Sequence, residues 1–185
     1  GSTVIDVGGN EQLSSYYLLS KLLGKKSLFI YDLDSIFFSS QLRINAESSD
    51  EINQFLISLG IGSNFKDIWG LLSSTLEYLK SDLRNKGSVY KAYIEQLDGD
   101  KKAKKESYAL LVYLKYFRDE AGAKSTNPSK IDLLFKQLEN VIKAFEEIGV
   151  YILKNGAMEN YFPSYDGNKF NIDDNKKRDC LNAEI

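Results

Sequence analysis

Two short apolar runs, separated by a long stretch of helical pattern, constrain the fold of this chain more than any other feature. The first run covers residues 27–31 and the second covers residues 149–153. Near-continuous apolar runs of this length are typical of strands in parallel sheets, whose two faces are both covered. Parallel strands need a long crossover connection, and the intervening chain can supply one.

A third strand is predicted before these two. Residues 3–7 are apolar apart from Thr3 and Asp6, and the run ends at Gly8 and Gly9. A helix is expected from about residue 10 to residue 23. Strand, helix and strand in this order form a βαβ unit, whose crossover is right-handed. The first two residues, Gly-Ser, read as a tag remnant.

The middle of the chain predicts helices only. Apolar residues recur at helical spacing along 65–83 and 131–145, and a third helix is expected over 104–120, followed by a loop at 122–127.

These patterns together predict an α/β fold with a small, mostly parallel sheet. The domain would span residues 3–185, with a helical insertion at about 45–148. A short final helix is expected near 176–183.

Composition excludes several kinds of chemistry. The chain has no histidine and one cysteine, Cys180, so Ser-His-Asp catalysis, His-ligated zinc and an internal disulfide are excluded within it. A net charge of -2 argues against nucleic-acid binding by bulk charge alone. A single thiol without a signal peptide favours a cytoplasmic protein, and no apolar run approaches the roughly 20 residues that span a bilayer.

Asp32 and Asp34 directly follow the first apolar run. On an extended chain these two side chains would point to the same side, about 6.6 Å apart along the backbone. Two carboxylates at that spacing repel each other unless a cation lies nearby, and Mg²⁺ or Mn²⁺ suits an all-oxygen site. The alternative is that one aspartate caps the following turn while the other is solvated.

Lys154 and Glu159 follow the second apolar run. If the strands are parallel, Lys154 leaves the sheet at the same edge as the two aspartates, where ligands bind in open α/β sheets. An edge with Asp, Lys and Glu suits phosphoryl chemistry, because a metal and a lysine can neutralise the developing negative charge. Alternatively, Lys154 is a solvated strand end and Glu159 a carboxylate at a helix start.

Two stretches of the sequence resemble one known family. The stretch VIDVGGNEQLSSYYLLSKLLGKKSLFIYDLD is similar to the second strand, helix and DxD strand of a Toprim domain from the overcoming-lysogenization-defect (OLD) nucleases. The stretch GVYILKNGAMENYFP resembles the late strand and turn of the same nucleases. The two matches occur in the right order and are separated by a helical insertion.

This resemblance implies a Mg²⁺- or Mn²⁺-dependent DNA endonuclease or nickase. It implies that Asp32 and Asp34 are the metal-binding DxD, that Lys154 lies near the scissile phosphate, and that Glu159 is metal-linked or structural. Family members usually carry an ABC-type ATPase ahead of the Toprim domain, and many act in anti-phage defence. The expected partners are therefore DNA, an ABC-type ATPase domain or subunit and a second copy in a homo-oligomer, with no membrane.

The chain departs from the family pattern at one important point. A Toprim domain opens with a strand bearing a glutamate, and this sequence starts after that element; Glu11 does not replace it, because it follows the glycine turn. There is also no GxxxxGK[ST] sequence for binding ATP phosphates. We therefore expect the isolated chain to bind metal weakly and to cleave poorly or not at all.

Two other interpretations stay open. In a haloacid-dehalogenase-type phosphohydrolase, Asp32 would be the nucleophile and the pair at 173–174 the late acids, although Ile36 stands where such enzymes usually have Thr or Val. In a non-catalytic hypothesis, the helical middle is a dimerisation or partner-docking module, and the site at Asp32 and Asp34 is vestigial. Basic runs at 101–105 and 176–178 can be solvated faces or contacts to a DNA backbone.

Overall fold

The computed structural model describes residues 10–62, 64–97, 99 and 102–156. The predictions made for residues 1–9 and 157–185, which include the first strand, the glycine turn, Glu159 and the final helix, lie outside the described residues.

The two apolar runs form a parallel sheet. Strand β1 (Phe29–Asp32) pairs with strand β2 (Val150–Leu153), with Phe29 opposite Val150 and Asp32 opposite Leu153. The predicted parallel pairing of these runs is confirmed. In its described residues the chain therefore has an α/β fold in which the helical part is much larger than the sheet.

Helices occupy almost all of the remaining described chain. Helix α1 (Asn10–Leu22) precedes β1, and the crossover to β2 starts its first helix only three residues after β1 ends. The crossover helices are α2 (Ser35–Phe38), α3 (Ser40–Glu47), α4 (Asp50–Ser58), α5 (Phe65–Leu83), α6 (Ser88–Ile94), α7 (Lys102–Tyr116), α8 (Arg118–Lys124) and α9 (Ser129–Glu147). Across the described residues, no helix is both long enough and apolar enough to cross a bilayer.

The helices predicted from long segments with apolar residues at helical spacing agree with the structure. Helices α5 and α9 cover the two apolar stripes expected at 65–83 and 131–145. The single helix expected over 104–120 is wrong. The chain breaks at Phe117, whose φ of -125° and ψ of 40° are not helical, and α8 then fills part of the expected loop.

The sheet is covered on one face only within the described residues. Side chains alternate along each strand, so Tyr31 and Ile152 are buried while Ile30 and Tyr151 are 53% and 43% exposed. The expectation of a strand covered on both faces is therefore not met in the part of the chain that the structure describes. On the covered face, Tyr17 of α1 packs edge-on against the ring of Phe29 at 5.6 Å.

The core is centred on the pair α5 and α9. Phe65 at the start of α5 contacts Phe145 near the end of α9, with ring centroids 5.2 Å apart. Asn64 caps α5 by accepting a hydrogen bond from the backbone N–H of Asp67 at 2.9 Å. Because α9 leads directly into β2 and packs on it, the position of β2 is fixed by this helical core.

A buried carboxylate joins α7 to the end of α5. Glu106 is 5% exposed and accepts hydrogen bonds from Arg84 at 2.6, 2.7 and 3.0 Å. Tyr90 of α6 donates to the same carboxylate at 3.3 Å. Burial and the charge of Glu106 raise the pKa of Tyr90 far above its ordinary value. These hydrogen bonds fix the position of α7 along its own axis. The same helix contacts the turn after β2 through Lys115, so the cluster also affects the end of the sheet.

Candidate functional site at the end of the sheet

The end of β1 and the end of β2 lie side by side. Asp32 is opposite Leu153, and the N–H of Leu33 donates to the carbonyl of Gly156 at 3.0 Å, so the pairing continues past both strands. Neighbouring strands are about 4.8 Å apart. Asp32, Asp34 and Lys154 are therefore at one edge of the sheet, and we call these three residues the strand-end site.

The backbone at Asp34 differs from the extended chain expected from the DxD spacing. Strand β1 ends at Asp32, and Asp34 has a φ of -65° and a ψ of -24°, which are helical values. The chain therefore turns between Asp32 and Asp34. The distance of about 6.6 Å along the backbone, expected for these two residues in an extended strand, does not apply. The side chain of Asp34 makes no capping hydrogen bond to α2, so the capping alternative is not supported for this residue.

Helix α7 holds the turn that follows β2. The ammonium group of Lys115 donates to the carbonyl of Lys154 at 2.9 Å and to Oδ1 of Asn155 at 2.8 Å. Gly156, with a φ of 109°, lies in a region that other residues rarely adopt, which allows its carbonyl to face Leu33. The position of Lys154 is therefore set by β2, by Lys115 and by this glycine.

Tyr108 is a site residue that the sequence did not reveal. It projects from α7, and burial followed by the negative charges of Asp34 and Asp32 raises its pKa well above the ordinary value of a phenol. A phenol is already protonated at neutral pH, and the raised pKa keeps this hydroxyl a potential hydrogen-bond donor well into the alkaline range. Its helical spacing predicted only core packing, and no pattern in the sequence relates α7 to the end of β1.

A cavity of about 410 Å³ opens beside the strand-end site. Leu33, Tyr108, Lys154 and Gly156 belong to its wall, so the cavity and the site share residues. Its other walls come from α7, α9 and Arg118 at the start of α8. This volume lies within the range of about 300–1,000 Å³ found for small-molecule sites.

The described residues fit a divalent cation only in part. Asp32 and Asp34 are partly buried and supply the oxygen ligands that Mg²⁺ and Mn²⁺ prefer. Within the ranges that the structure describes, however, no group of three or more Asp, Glu, His or Cys side chains is close enough to hold a metal. Mg²⁺ is commonly held by one or two carboxylates together with waters and substrate phosphates, so the aspartate pair is compatible with such a site. Glu159, the further ligand expected from the sequence, lies outside the described residues.

Comparison with protein-family models, curated proteins and solved structures gives no match for this chain.

Proposed function

We propose that this chain is a metal-dependent DNA endonuclease or nickase domain of the Toprim type found in OLD nucleases. One observation carries the proposal: the parallel register of β1 and β2 brings the Asp32–Asp34 pair and Lys154 to the same sheet edge. The sequence placed these residues on elements far apart along the chain. Because ligands bind at the carboxyl-terminal edge of such sheets, residues that share this edge can act on one phosphodiester group, and this supports the proposal.

Each residue of the strand-end site has a role in this proposal. Asp32 and Asp34 hold the cation, with Glu159 as a further ligand, and Lys154 stabilises the negative charge that develops on the scissile phosphate. A bound Mg²⁺ or Mn²⁺ supplies charge neutralisation at the phosphate and a more acidic water. Tyr108 lines the adjoining cavity and lies in the field of both carboxylates. DNA, an ABC-type ATPase and a second copy of the chain are the proposed partners.

Nicking of supercoiled plasmid in Mn²⁺ by the protein that carries this domain, called the parent protein below, tests this proposal. Asp32→Asn, Asp34→Asn and Lys154→Met are each expected to lower the nicking rate by at least about 100-fold. Asp50→Asn and Lys66→Met make the same charge changes at exposed helical positions and should leave the rate unchanged.

Manganese binding separates the roles of the acids and the lysine. The two Asp→Asn variants should lose Mn²⁺ affinity, measured by electron paramagnetic resonance, while Lys154→Met should keep it. The proposal fails if the parent protein neither binds Mn²⁺ nor nicks DNA, or if the strand-end variants nick as fast as wild type.

A non-catalytic docking module is a second candidate, because large apolar side chains are exposed on the long helices. Leu71 of α5 is 53% exposed, Tyr78 lies two turns further along the same helix at 40%, and Leu133 of α9 is 38% exposed. The double variant Asp32→Ala/Lys154→Ala in the full-length protein discriminates between the candidates. Lost nicking with retained assembly supports the nuclease, whereas a wild type that never nicks and a variant that no longer assembles support the module.

The phosphohydrolase alternative makes a different prediction for Asp32. A nucleophilic Asp32 would form an adduct with a phosphate mimic such as beryllium fluoride, and a metal-binding Asp32 would not. Mass spectrometry and fluorine NMR of the treated protein distinguish these two outcomes.

A further inference from the structure

The cavity beside the strand-end site has walls and a rim of different chemistry. Its walls are mostly apolar and include Leu111, Phe135, Leu138 and Ile142 from α7 and α9. Two tyrosines, Tyr108 and Tyr116, add aromatic surface. A ligand that fills this space must therefore have a body that prefers an apolar or aromatic surrounding.

The rim of the cavity is positively charged. Lys115, Arg118 and Lys154 all line it, and we call these three residues the cationic rim. One carboxylate, Glu139, also lines the cavity; it is paired with Lys143 at 3.0 Å and lies in the field of Lys154. The lining thus carries three cationic side chains and one carboxylate, and this excess of positive charge favours a ligand with an anionic group at its outer end over an uncharged lipid or a cation.

The cationic rim is held in place by the fold. Lys115 is anchored to the turn after β2 through the carbonyl of Lys154 and the side chain of Asn155. The guanidinium of Arg118 pairs with Asp132 and lies 5.4 Å from the centre of the Phe135 ring. Its charge is consequently presented directly above an aromatic wall of the cavity.

We propose that this cavity receives one nucleotide of the DNA strand that is cut at the strand-end site. The base would lie against the apolar and aromatic walls, and its phosphate would lie at the cationic rim. This inference rests on the proposed nuclease function and names the part of the substrate that the site holds. Lys154 and Leu33 belong to both the cavity and the sheet edge, and Tyr108 in the cavity wall lies in the field of the two aspartates. A nucleotide bound here would therefore lie next to the strand ends that carry Asp32 and Asp34.

Binding of thymidine 5′-monophosphate (dTMP) in EDTA tests the inference without metal or cleavage. Isothermal titration calorimetry should show saturable binding of dTMP. Thymidine and inorganic phosphate should each bind at least about tenfold more weakly, because one lacks the charge and the other lacks the base. Equal binding of phosphate and dTMP would overturn the inference, since the apolar walls would then contribute nothing.

Two variants test whether dTMP binds in this cavity. Leu138→Trp fills the cavity and should abolish dTMP binding. Arg118→Gln should weaken binding about tenfold, and it should fold normally because the Arg118–Asp132 pair is exposed, with side chains 55% and 71% accessible. Lys136→Gln removes an exposed charge from α9 outside the cavity and is the matched control.

The outcomes separate this inference from the proposed function. Absence of saturable dTMP binding, or dTMP binding that Arg118→Gln leaves unchanged, overturns the inference even if the parent protein nicks DNA. If Leu138→Trp does not fold, the comparison of Arg118→Gln with Lys136→Gln decides alone. Asp34→Asn should abolish nicking yet keep dTMP binding in EDTA. The protein could instead bind dTMP saturably, in a manner that depends on Arg118, and yet never nick DNA. That result would support the cavity as a nucleotide-binding site and would reject the proposed nuclease function.

Discussion

Gly149 joins the helical core to the sheet, and replacing it with alanine should destabilise the protein. Its φ is 75°, in the left-handed region, and its carbonyl accepts the hydrogen bond from the N–H of Phe29 at 2.9 Å that starts the pairing of β1 with β2. A Cβ at this position would lie 3.0 Å from the backbone oxygen of Ser27. That oxygen cannot move far, because it belongs to the chain that enters β1.

The expected loss in the free energy of unfolding is about 2 kcal/mol. A left-handed conformation costs an L-residue about 1–2 kcal/mol, and the crowded contact with Ser27 adds roughly 1 kcal/mol. Reduced freedom of the unfolded chain offsets about 0.4–1 kcal/mol of this sum. Asparagine tolerates the left-handed region better, so Gly149→Asn should lose less than Gly149→Ala.

Urea unfolding followed by circular dichroism measures these differences. Gly70→Ala is the matched control: Gly70 lies inside α5, a Cβ there would meet no atom within 4 Å, and the change should stabilise the protein by about 0.5–1 kcal/mol. The reasoning is refuted if Gly149→Ala is as stable as wild type. The same result would cast doubt on the register that brings Lys154 to the two aspartates.

Two further predictions concern the helices that support the site. Arg84→Met should cost about 2–4 kcal/mol in urea unfolding, because it leaves the carboxylate of Glu106 buried and without its charged partner; a loss below about 0.5 kcal/mol would contradict this account. Tyr113 should make the protein sensitive to alkali: burial, and then Glu120, raises its pKa to about 12, above the value of about 10 in the unfolded chain. The stability that the protonated phenol contributes is fully present below pH 10 and is lost as the pH rises towards 12, by about 1–2 kcal/mol in all after solvent screening. Tyr113→Phe should remove this part of the loss of stability at high pH, measured as the free energy of unfolding between pH 9 and pH 12. If the variant and the wild type show the same pH dependence, the Tyr113 phenol does not contribute to it.

The sequence predicts what local periodicity and strand ends determine. The apolar stripes of α5 and α9 were visible because one face of each helix enters the core. The parallel pairing of the two apolar runs was also predicted from the sequence, and it puts the ends of both strands at the same edge. Each of these predictions needed only the pattern within one element or the direction of two strands.

Packing between distant elements is what the sequence could not supply. At the break, Phe117 has non-helical dihedral angles and its ring stacks on that of Tyr113, with centroids 5.8 Å apart; nothing in the local sequence pattern marks this position as a helix end. The helical conformation of Asp34 depends on α2, a helix of four residues that is too short to show a periodicity. The place of Tyr108 beside the acids depends on how α7 packs on α2, and no spacing along the chain encodes that distance.

Helix α7 connects the stability of the helical part to the chemistry proposed for the sheet edge. Near its start Glu106 ties it to α5, in its middle Tyr108 lies in the field of the two aspartates, and near its end Lys115 holds the carbonyl of Lys154. A helix rises about 1.5 Å per residue, so these three contacts follow one another along a rigid rod of about 14 Å. A shift of α7 at the Arg84 end would therefore move both Tyr108 and Lys115. It follows that Arg84→Met should weaken dTMP binding in the cavity as well as the fold, although Arg84 itself does not line that cavity.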